Sequence, residues 1–175
     1  MTAEAAFTLT LARPEEAPLL EGLMQFYIYD FSEMEPPGST GFELDGTGRF
    51  EPYPYLDRYW SEEGRIPLIL RVDGHPAGFA LINSHSHRDD GHVERNMGEF
   101  FVARKHRGRG LADWALHEIL ARYPGRWEIA IAQRNARAIV FWPRAIKAAG
   151  NVSEIEEIQG DGIHWTGPIW TFVAR

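Results

Sequence analysis

The stretch 99–112, with the sequence EFFVARKHRGRGLA, constrains the fold of this chain more than any other. A short apolar run is followed by a basic turn with glycines at positions 108 and 110, and then by the start of a helical pattern. Glycines have no Cβ, so the backbone can approach a ligand closely and its N–H groups can converge at the opening of a helix. The stretch therefore predicts a strand that ends in an anion-binding helix start, which suits a diphosphate.

The helix after this turn is supported by its own pattern. Leu111, Ala115 and Ile119 fall on one stripe, while charged residues such as Glu118 face away from it. The aligned peptide dipoles give the first turn of such a helix about half a positive charge, which adds to the charge of the nearby arginines. A Gly-x-Gly pair also suits a basic surface loop that caps an ordinary helix, so the context of the turn decides between the two interpretations.

Length and composition predict a single domain over residues 1–175. Hydrophobic residues make up 44% of the 175 residues, and a chain of this length buries roughly two-thirds of its unfolded surface. The absence of cysteine excludes a disulfide framework, a thiolate nucleophile and a cysteine-ligated metal. The first residues have no basic flank ahead of a long apolar run, and no apolar stretch has membrane length. We therefore expect a cytoplasmic protein without a membrane partner.

The distribution of charge argues against a nucleic-acid partner. The net charge is −7, and the four basic residues Arg104, Lys105, Arg107 and Arg109 contribute +4 to it, so the remainder of the chain sums to −11. A chain that is this acidic outside one turn repels the phosphate backbone over most of its surface.

Hydrophobic periodicity and turn signals predict the order β, α, short α, β, β, β, α, β, α, β, β. The predicted segments are strands over 7–11, 65–72, 75–83, 97–103, 127–132, 151–159 and 163–173, and helices over 53–60, 111–122 and 136–149. A further helix starts at 13–16, runs through Ile28 and has its end within 27–33. Asp73-Gly74 is a two-residue hairpin signal, and Asn135 suits the N-cap of the last helix. Pro143 predicts a kink or break after Trp142, and Pro168 suggests a bulge or an edge strand.

Two polar segments admit a functional interpretation. Between residues 30 and 51 the chain carries six acids against one arginine, and these acids are Asp30, Glu33, Glu35, Glu43, Asp45 and Glu51. This long connection is either a solvated loop or one wall of a site for a cationic ligand. The segment from His85 to His92 has spacing loosely suited to a metal, but it lies between strands without a fixed scaffold, so we expect no metal site.

The order of strand, glycine turn, amphipathic helix and then Asn135-x-x-Ala138-x-x-Phe141-Trp142 resembles the GCN5-related N-acetyltransferase (GNAT) superfamily. In that family a turn of the form Gln/Arg-x-x-Gly-x-Gly/Ala holds the pyrophosphate of acetyl-coenzyme A (acetyl-CoA). Lys105 stands here in place of the usual Gln or Arg, which keeps the charge but loses the planar fork of donors. Within the superfamily, the motifs look similar to a branch of predicted bacterial acetyltransferases.

The resemblance implies an α/β fold with a mixed, mostly antiparallel sheet flanked by helices, the acyl-CoA N-acyltransferase fold. It implies acetyl-CoA as co-substrate, a small-molecule amine acceptor, no metal, and leaves a homodimer open. The residues that it assigns to the cofactor are Phe101, Val102, Lys105, Arg107, Gly108, Arg109, Gly110, Leu111, Ala112, Asn135, Phe141 and Trp142.

Acyl transfer to an amine requires a base, because alkyl ammonium groups titrate near 10.4. Glu99 is the first candidate, since it shares a strand face with Phe101 and its neighbours are apolar. The alternative is an ordinary surface glutamate at the start of a strand. Asp30 is the second candidate, because it follows Tyr27-Ile28-Tyr29 and so lies beside aromatic rings.

The acid that protonates the leaving thiolate is less evident. Many relatives carry a tyrosine at the position of Trp142, and an indole N–H does not titrate. Tyr29 is one possible replacement, and Tyr27, Tyr53 and Tyr55 are the others. The resemblance also implies that the backbone N–H of Phe101 or Val102 stabilises the reacting oxygen. Two interpretations remain: a small cationic amine is acetylated, or the protein is a non-catalytic acyl-CoA sensor.

Overall fold

The computed structural model describes residues 5–89 and 91–175. Within them the chain forms one sheet of seven strands and three α-helices, in the order predicted from the sequence. The elements are β1 (Phe7–Leu11), α1 (Ala17–Ser32), β2 (Ile66–Val72), β3 (His75–Asn83), β4 (Arg95–Val102), α2 (Leu111–Arg122), β5 (Gly125–Ala130), α3 (Ala136–Ala148), β6 (Val152–Gln159) and β7 (Pro168–Ala174). Short 3₁₀ turns occur at Pro14–Glu16, Asp57–Trp60 and Arg104–His106.

The strand order is β1-β2-β3-β4-β5-β7-β6, and every neighbouring pair is antiparallel except β4 and β5. This mixed, mostly antiparallel sheet confirms the predicted fold class. The parallel pair is joined through α2 and is short, because only Arg95 with Trp127 and Asn96 with Glu128 are in register. From Met97 to Val102, β4 therefore has no pairing partner on its β5 side, and a slot opens there in the middle of the sheet.

The two faces of the sheet bury separate apolar clusters. One cluster lies under α2 and α3 and includes Trp127 and Met97, and the other lies under α1 and includes Phe79 and Phe101. Successive side chains of a strand point to opposite faces. Glu99 and Phe101 thus lie on the α1 face of β4, as the sequence predicted, and Phe100 lies on the α3 face.

Neither the break expected at Pro143 nor the edge strand or bulge expected at Pro168 occurs. Helix α3 continues through Pro143 without a break, because the buried Trp142, Ala145 and Ile146 hold both sides of the proline against the core. Pro168 is the first residue of β7, which lies between β5 and β6 and so is not an edge strand. The irregularity of this hairpin is in β6, where the register shifts between Ser153 and Glu156.

Element boundaries differ by a few residues from those predicted. Strand β5 begins at Gly125 and ends at Ala130, so Ile131 and Ala132 follow it, and β7 begins at Pro168 rather than at residue 163. The tight turn at Asp161, whose carboxylate accepts the N–H groups of Ile163 and His164, takes those residues out of the strand. No helix of the described residues is long and apolar enough to cross a membrane.

Candidate active site

The glycine turn at the end of β4 has the backbone conformation expected for an anion cradle. Gly108 and Gly110 have φ of +68° and +82°, a region that other L-residues rarely adopt. A Cβ at either position would meet nothing within 4 Å, so conformation rather than crowding requires glycine there. Gly110 precedes α2. Among the described residues, no side chain caps the amides at the N-terminus of α2.

Arg107 holds the turn to the rest of the fold. Its Nε donates to the carbonyl of Val102 at 2.7 Å, and its guanidinium forms a hydrogen-bonded ion pair with Asp30 at the end of α1. The same guanidinium lies 5.6 Å from the centre of the Phe101 ring. Arg104 also binds Asp30, at 2.7 Å. The charge of Arg107, predicted to serve the cofactor, is therefore already shared with a carboxylate.

These contacts make Asp30 a poor base. Burial on its own would raise the pKa of Asp30, but the hydrogen bonds from Arg107 and Arg104 outweigh it and hold the pKa below its ordinary value. The structure therefore places the second candidate for the base in an ion-pair network. Tyr29, on the same helix, is 58% exposed, and the guanidinium of Arg104 lies 5.7 Å from its ring centre.

We expect Asp30→Asn to destabilise the protein at neutral pH by about 1–2 kcal/mol, because it removes the negative charge and one of the two oxygens that accept from the arginines. The melting temperature should fall by about 2–8 °C. A depressed pKa stabilises the fold above the unfolded value near 3.9, so the difference from the parent should shrink as pH falls below about 4. Differential scanning calorimetry over pH 2.5–7, with the exposed Glu43→Gln as control, tests this; equal melting temperatures at pH 7 would contradict it.

Lys105 and Arg109 lie on the outer flank of the turn. With His75 and Trp114 they line a groove of about 590 Å³ beside the β2–β3 hairpin. The positive charge of the turn is therefore divided between this flank and the Asp30 network. Leu111 is buried at the start of α2, and Ala112 is partly buried beside it.

Helix α3 forms the other side of the slot. Asn135 caps it by accepting the N–H of Ala138 at 3.0 Å, as predicted. Phe141 stacks parallel to Phe100 with ring centres 6.4 Å apart, and Trp142 packs on Phe100 at 5.2 Å. Trp142 is only 7% exposed, so its indole is part of the core. A groove of about 490 Å³ runs along the exposed side of α3, between Ala136 and Arg144.

Glu99 lies where β4 bulges beside the slot. Leu81 pairs with Glu99 and Ile82 pairs with Met97, so Gly98 is the extra residue of β4. A Cβ on Gly98 would come within 2.7 Å of Asn83 Nδ2 and 3.2 Å of the Leu81 carbonyl oxygen, so a side chain there would displace Asn83. The bulge fixes the direction in which Glu99 leaves the strand.

Two tyrosine hydroxyls donate to the Glu99 carboxylate. Tyr27 of α1 donates to Oε2, and Tyr53, which precedes the 3₁₀ turn Asp57–Trp60, donates to Oε1 at 2.8 Å. Burial raises the pKa of Glu99 above its ordinary value, although both hydrogen bonds oppose the rise. The sequence did not predict this cluster, since its three members come from distant segments.

The register of β4 distinguishes the two predicted oxyanion donors. The N–H of Ala103 donates to the carbonyl of Ala77. Every second residue back along the strand, including Phe101, therefore also directs its amide towards β3. The Val102 carbonyl accepts from Arg107 instead. The amide of Val102 therefore faces the slot, and the amide of Phe101 is engaged in the β3–β4 ladder.

The acidic connection is only partly available to a ligand. Asp30 binds two arginines, Glu35 pairs with Arg134 at 3.3 Å, and Asp45 accepts the N–H groups of Thr47 and Arg49. Glu33, Glu43 and Glu51 remain, although Glu33 lies 4.0 Å from Arg104. The pair between Glu35 and Arg134 ties the connection to the segment between β5 and α3.

The histidine segment has a structural role. Ser86 Oγ and the His87 N–H each donate at 2.7 Å to Glu128, which is fully buried on β5. The His87 ring packs against Trp165 at 4.4 Å. Among residues 5–89 and 91–175, no group of three His, Asp or Glu could hold a metal ion. Asp90, part of the same segment, lies outside the described residues.

A sheet split between parallel strands, with a glycine turn at the next helix, defines the acyl-CoA N-acyltransferase fold. The chain belongs to the acetyltransferase (GNAT) family, whose profile matches residues 27–145. No curated protein has a significantly matching sequence.

Solved structures with the same fold include three acetyltransferases. One from Thermus thermophilus is 17% identical, with 97% of each chain covered and a TM-score of 0.66. An aminoglycoside acetyltransferase in complex with coenzyme A is 15% identical, covers 97% of this chain and 95% of its own, and has a TM-score of 0.61. Spermidine N-acetyltransferase from Vibrio cholerae, with coenzyme A and spermine, is 13% identical over 95% and 94%, with a TM-score of 0.53. Likeness at these identities establishes the fold.

Proposed function

We propose that this protein is an N-acetyltransferase that transfers the acetyl group of acetyl-CoA to an amine of a small, cationic acceptor. One observation carries the proposal: the Glu99 carboxylate lies on the bulged strand β4 beside the slot, with a pKa raised by burial. A carboxylate with a raised pKa in an apolar surrounding is suited to general-base catalysis. We place the protein in the cytoplasm, as one domain.

The glycine turn would hold the diphosphate of acetyl-CoA. The amides from Arg107 to Ala112 and the positive end of the α2 dipole favour an anion, and Lys105 and Arg109 add positive charge beside them. The slot between β4 and β5 offers a path for the pantetheine arm, with Phe100, Phe141 and Asn135 on its α3 side. The coenzyme A in two of the similar structures supports this assignment.

The acceptor must lose protons on the way to the amide. It arrives largely as an ammonium, and only its neutral form has the lone pair that forms the new C–N bond. The ammonium would first lose one proton to solvent. Glu99 would take a second proton from the nitrogen as the C–N bond forms, and the C–S bond would break as the thiolate leaves. The Val102 N–H would donate to the thioester oxygen as negative charge develops on it. A thiol titrates near 8.5, so the thiolate can leave without a dedicated acid at Trp142.

A small cationic acceptor is supported by the acidic connection around residues 33–51. Spermidine, the substrate named for one similar structure, is such an amine. Glu43 and Glu51 are exposed and have no basic partner closer than 4.0 Å among the described residues. Their negative charges would attract an ammonium through solvent, and dissolved salt would weaken this attraction.

We expect kcat/KM for the acceptor to fall with ionic strength at saturating acetyl-CoA, because the Debye length shrinks from roughly 10 Å at 0.1 M to 3 Å at 1 M. Glu51→Gln removes one negative charge. It should weaken the dependence of kcat/KM on ionic strength for a cationic amine and leave that dependence unchanged for an uncharged amine. An anionic best substrate, or a kcat/KM that ignores ionic strength, would count against a cationic acceptor.

Buried Trp142 supports a second candidate, a non-catalytic acyl-CoA sensor, because the titrating tyrosine found there in many relatives is missing. A thermal-shift titration with acetyl-CoA and turnover on a panel of amines separate the two. Binding with turnover supports the enzyme, and binding without turnover on any amine supports the sensor. Duplex DNA is the control ligand, and we expect it to leave the melting temperature unchanged.

A further inference from the structure

We propose that Tyr27 and Tyr53 are positioning residues for the base: their hydroxyls keep the Glu99 carboxylate ionised and in one orientation towards the incoming amine. The inference rests on the proposed function, in which Glu99 takes the proton. It adds two side chains from separate parts of the chain to the reaction, neither of which lies in the glycine turn or in α3.

The geometry gives each carboxylate oxygen its own donor. Tyr27 donates to Oε2 from α1, and Tyr53 donates to Oε1 from the segment that follows the acidic connection. Each carboxylate oxygen can accept more than one hydrogen bond, so both retain a lone pair for the proton of the amine. Two donors, one on each oxygen, leave the carboxylate little freedom to rotate.

Packing fixes the position of the Tyr27 ring. The ring meets Phe79 and Phe101 edge-on, with centres 5.8 and 6.1 Å away, and lies 4.7 Å from Phe31. Such edge contacts hold an aromatic ring in a defined orientation. The Tyr53 ring is edge-on to Tyr55 at 6.4 Å. The Tyr27 hydroxyl is therefore carried by a ring that packing holds in place, and the Tyr53 ring is partly buried.

The groups around Glu99 keep both tyrosines protonated, so each tyrosine hydroxyl donates its hydrogen bond. Tyr27 comes from α1, Tyr53 and Tyr59 come from the 53–60 segment, and Arg65 lies behind Tyr59, 5.2 Å from its ring centre. Burial and the negative Glu99 raise the pKa of Tyr27 and of Tyr53 above the ordinary value. Both phenols thus keep their protons at working pH, and Glu99 is the acceptor in both hydrogen bonds.

The test compares the pH dependence of kcat/KM in Tyr27→Phe, Tyr53→Phe and the matched control Tyr55→Phe. Tyr55 is 48% exposed and neighbours Tyr53, but its hydroxyl does not bind Glu99. Loss of a hydrogen bond to the ionised form raises a carboxyl pKa. Activity needs ionised Glu99, so the acidic limb should move up by about one pH unit in each test variant. At pH values below the limb, kcat/KM of each test variant should be about tenfold lower than that of the parent. On the high-pH plateau the variants should largely keep the parent's kcat/KM.

A merely structural cluster gives a different result. The acidic limb would then stay in place, while the melting temperature falls or activity is reduced equally at every pH; an unmoved limb would overturn the inference. An equal shift in Tyr55→Phe would also overturn it.

A measurement without turnover separates this inference from the proposed function. The Glu99 carboxyl can be titrated by ¹³C NMR in protein with labelled glutamate, with Glu99→Gln for assignment. A midpoint that rises in Tyr27→Phe and Tyr53→Phe supports the inference even if no amine is acetylated, and an unmoved midpoint refutes it. Failure of the proposed function appears instead as full activity of Glu99→Gln, or as no turnover by the parent.

Discussion

Glu99→Gln should lower kcat/KM for the amine by about 10²- to 10⁴-fold at neutral pH, while the affinity for acetyl-CoA stays nearly unchanged. Glutamine keeps the size of the side chain and can still accept from a tyrosine hydroxyl, but it does not take a proton at working pH. The rate falls because the base is lost, and binding persists because the glycine turn and α3 are untouched. Steady-state kinetics with a thiol-release assay, together with calorimetric titration of acetyl-CoA, measure the two effects separately.

The matched control for this variant is Glu63→Gln, which makes the same chemical change on the exposed surface. It should keep the parent's activity. In the parent, activity should fall as pH drops through the raised pKa of Glu99, and this acidic limb should disappear in Glu99→Gln. A variant that retained most of the parent's activity at neutral pH would refute the assignment of Glu99.

Gly110→Asp should weaken acetyl-CoA binding by at least about tenfold, equivalent to about 1.4 kcal/mol. The variant places a carboxylate in the open space at the N-terminus of α2, where a Cβ on residue 110 would meet no other atom within 4 Å. This carboxylate would compete with the diphosphate for the same amides and would repel it. Calorimetric titration with acetyl-CoA and free coenzyme A measures the loss.

Gly110→Asn is the control that isolates charge from backbone strain. Asparagine has nearly the size of aspartate and tolerates the left-handed conformation that φ of +82° requires. It should therefore bind acetyl-CoA more tightly than Gly110→Asp does. If Gly110→Asp bound as tightly as the parent, the diphosphate would not lie at this turn.

The features predicted correctly from the sequence have local causes. The hairpin at Asp73-Gly74, the glycine turn with the amphipathic helix α2, and the cap at Asn135 each depend on residues a few positions apart. Backbone conformation and side-chain periodicity act over the same short range, so the pattern is visible in the sequence.

The arrangement around the candidate base depends on contacts between distant segments. Glu99 is 72 residues from Tyr27 and 46 residues from Tyr53, and no spacing rule connects positions so far apart. Aromatic residues in α1 and in the 53–60 segment are equally compatible with core packing, so only the folded chain shows which hydroxyls meet the carboxylate.

The surroundings of Asp30 also depend on a distant contact. Its place beside aromatic residues favoured a role as a base, but Arg107, 77 residues away, takes it into an ion pair. Helix α3 continues past Pro143 for a related reason, because burial of Trp142 and Ile146 outweighs the local cost of a proline inside a helix. In both cases contacts with distant residues outweigh the preference indicated by the neighbouring residues in the sequence.

The most direct test is to incubate the protein with acetyl-CoA and a panel of small amines and follow the N-acetylated product by mass spectrometry and the released thiol by colorimetry. The panel should include di- and polyamines, an uncharged amine and an anionic amine, with Glu99→Gln as the paired sample. We predict that the parent forms amide and free thiol in equal amounts, fastest with a cationic amine, and that Glu99→Gln forms almost none. Acetyl-CoA that binds but yields no amide with any amine in the panel would contradict the assignment of this protein as an N-acetyltransferase for small amines.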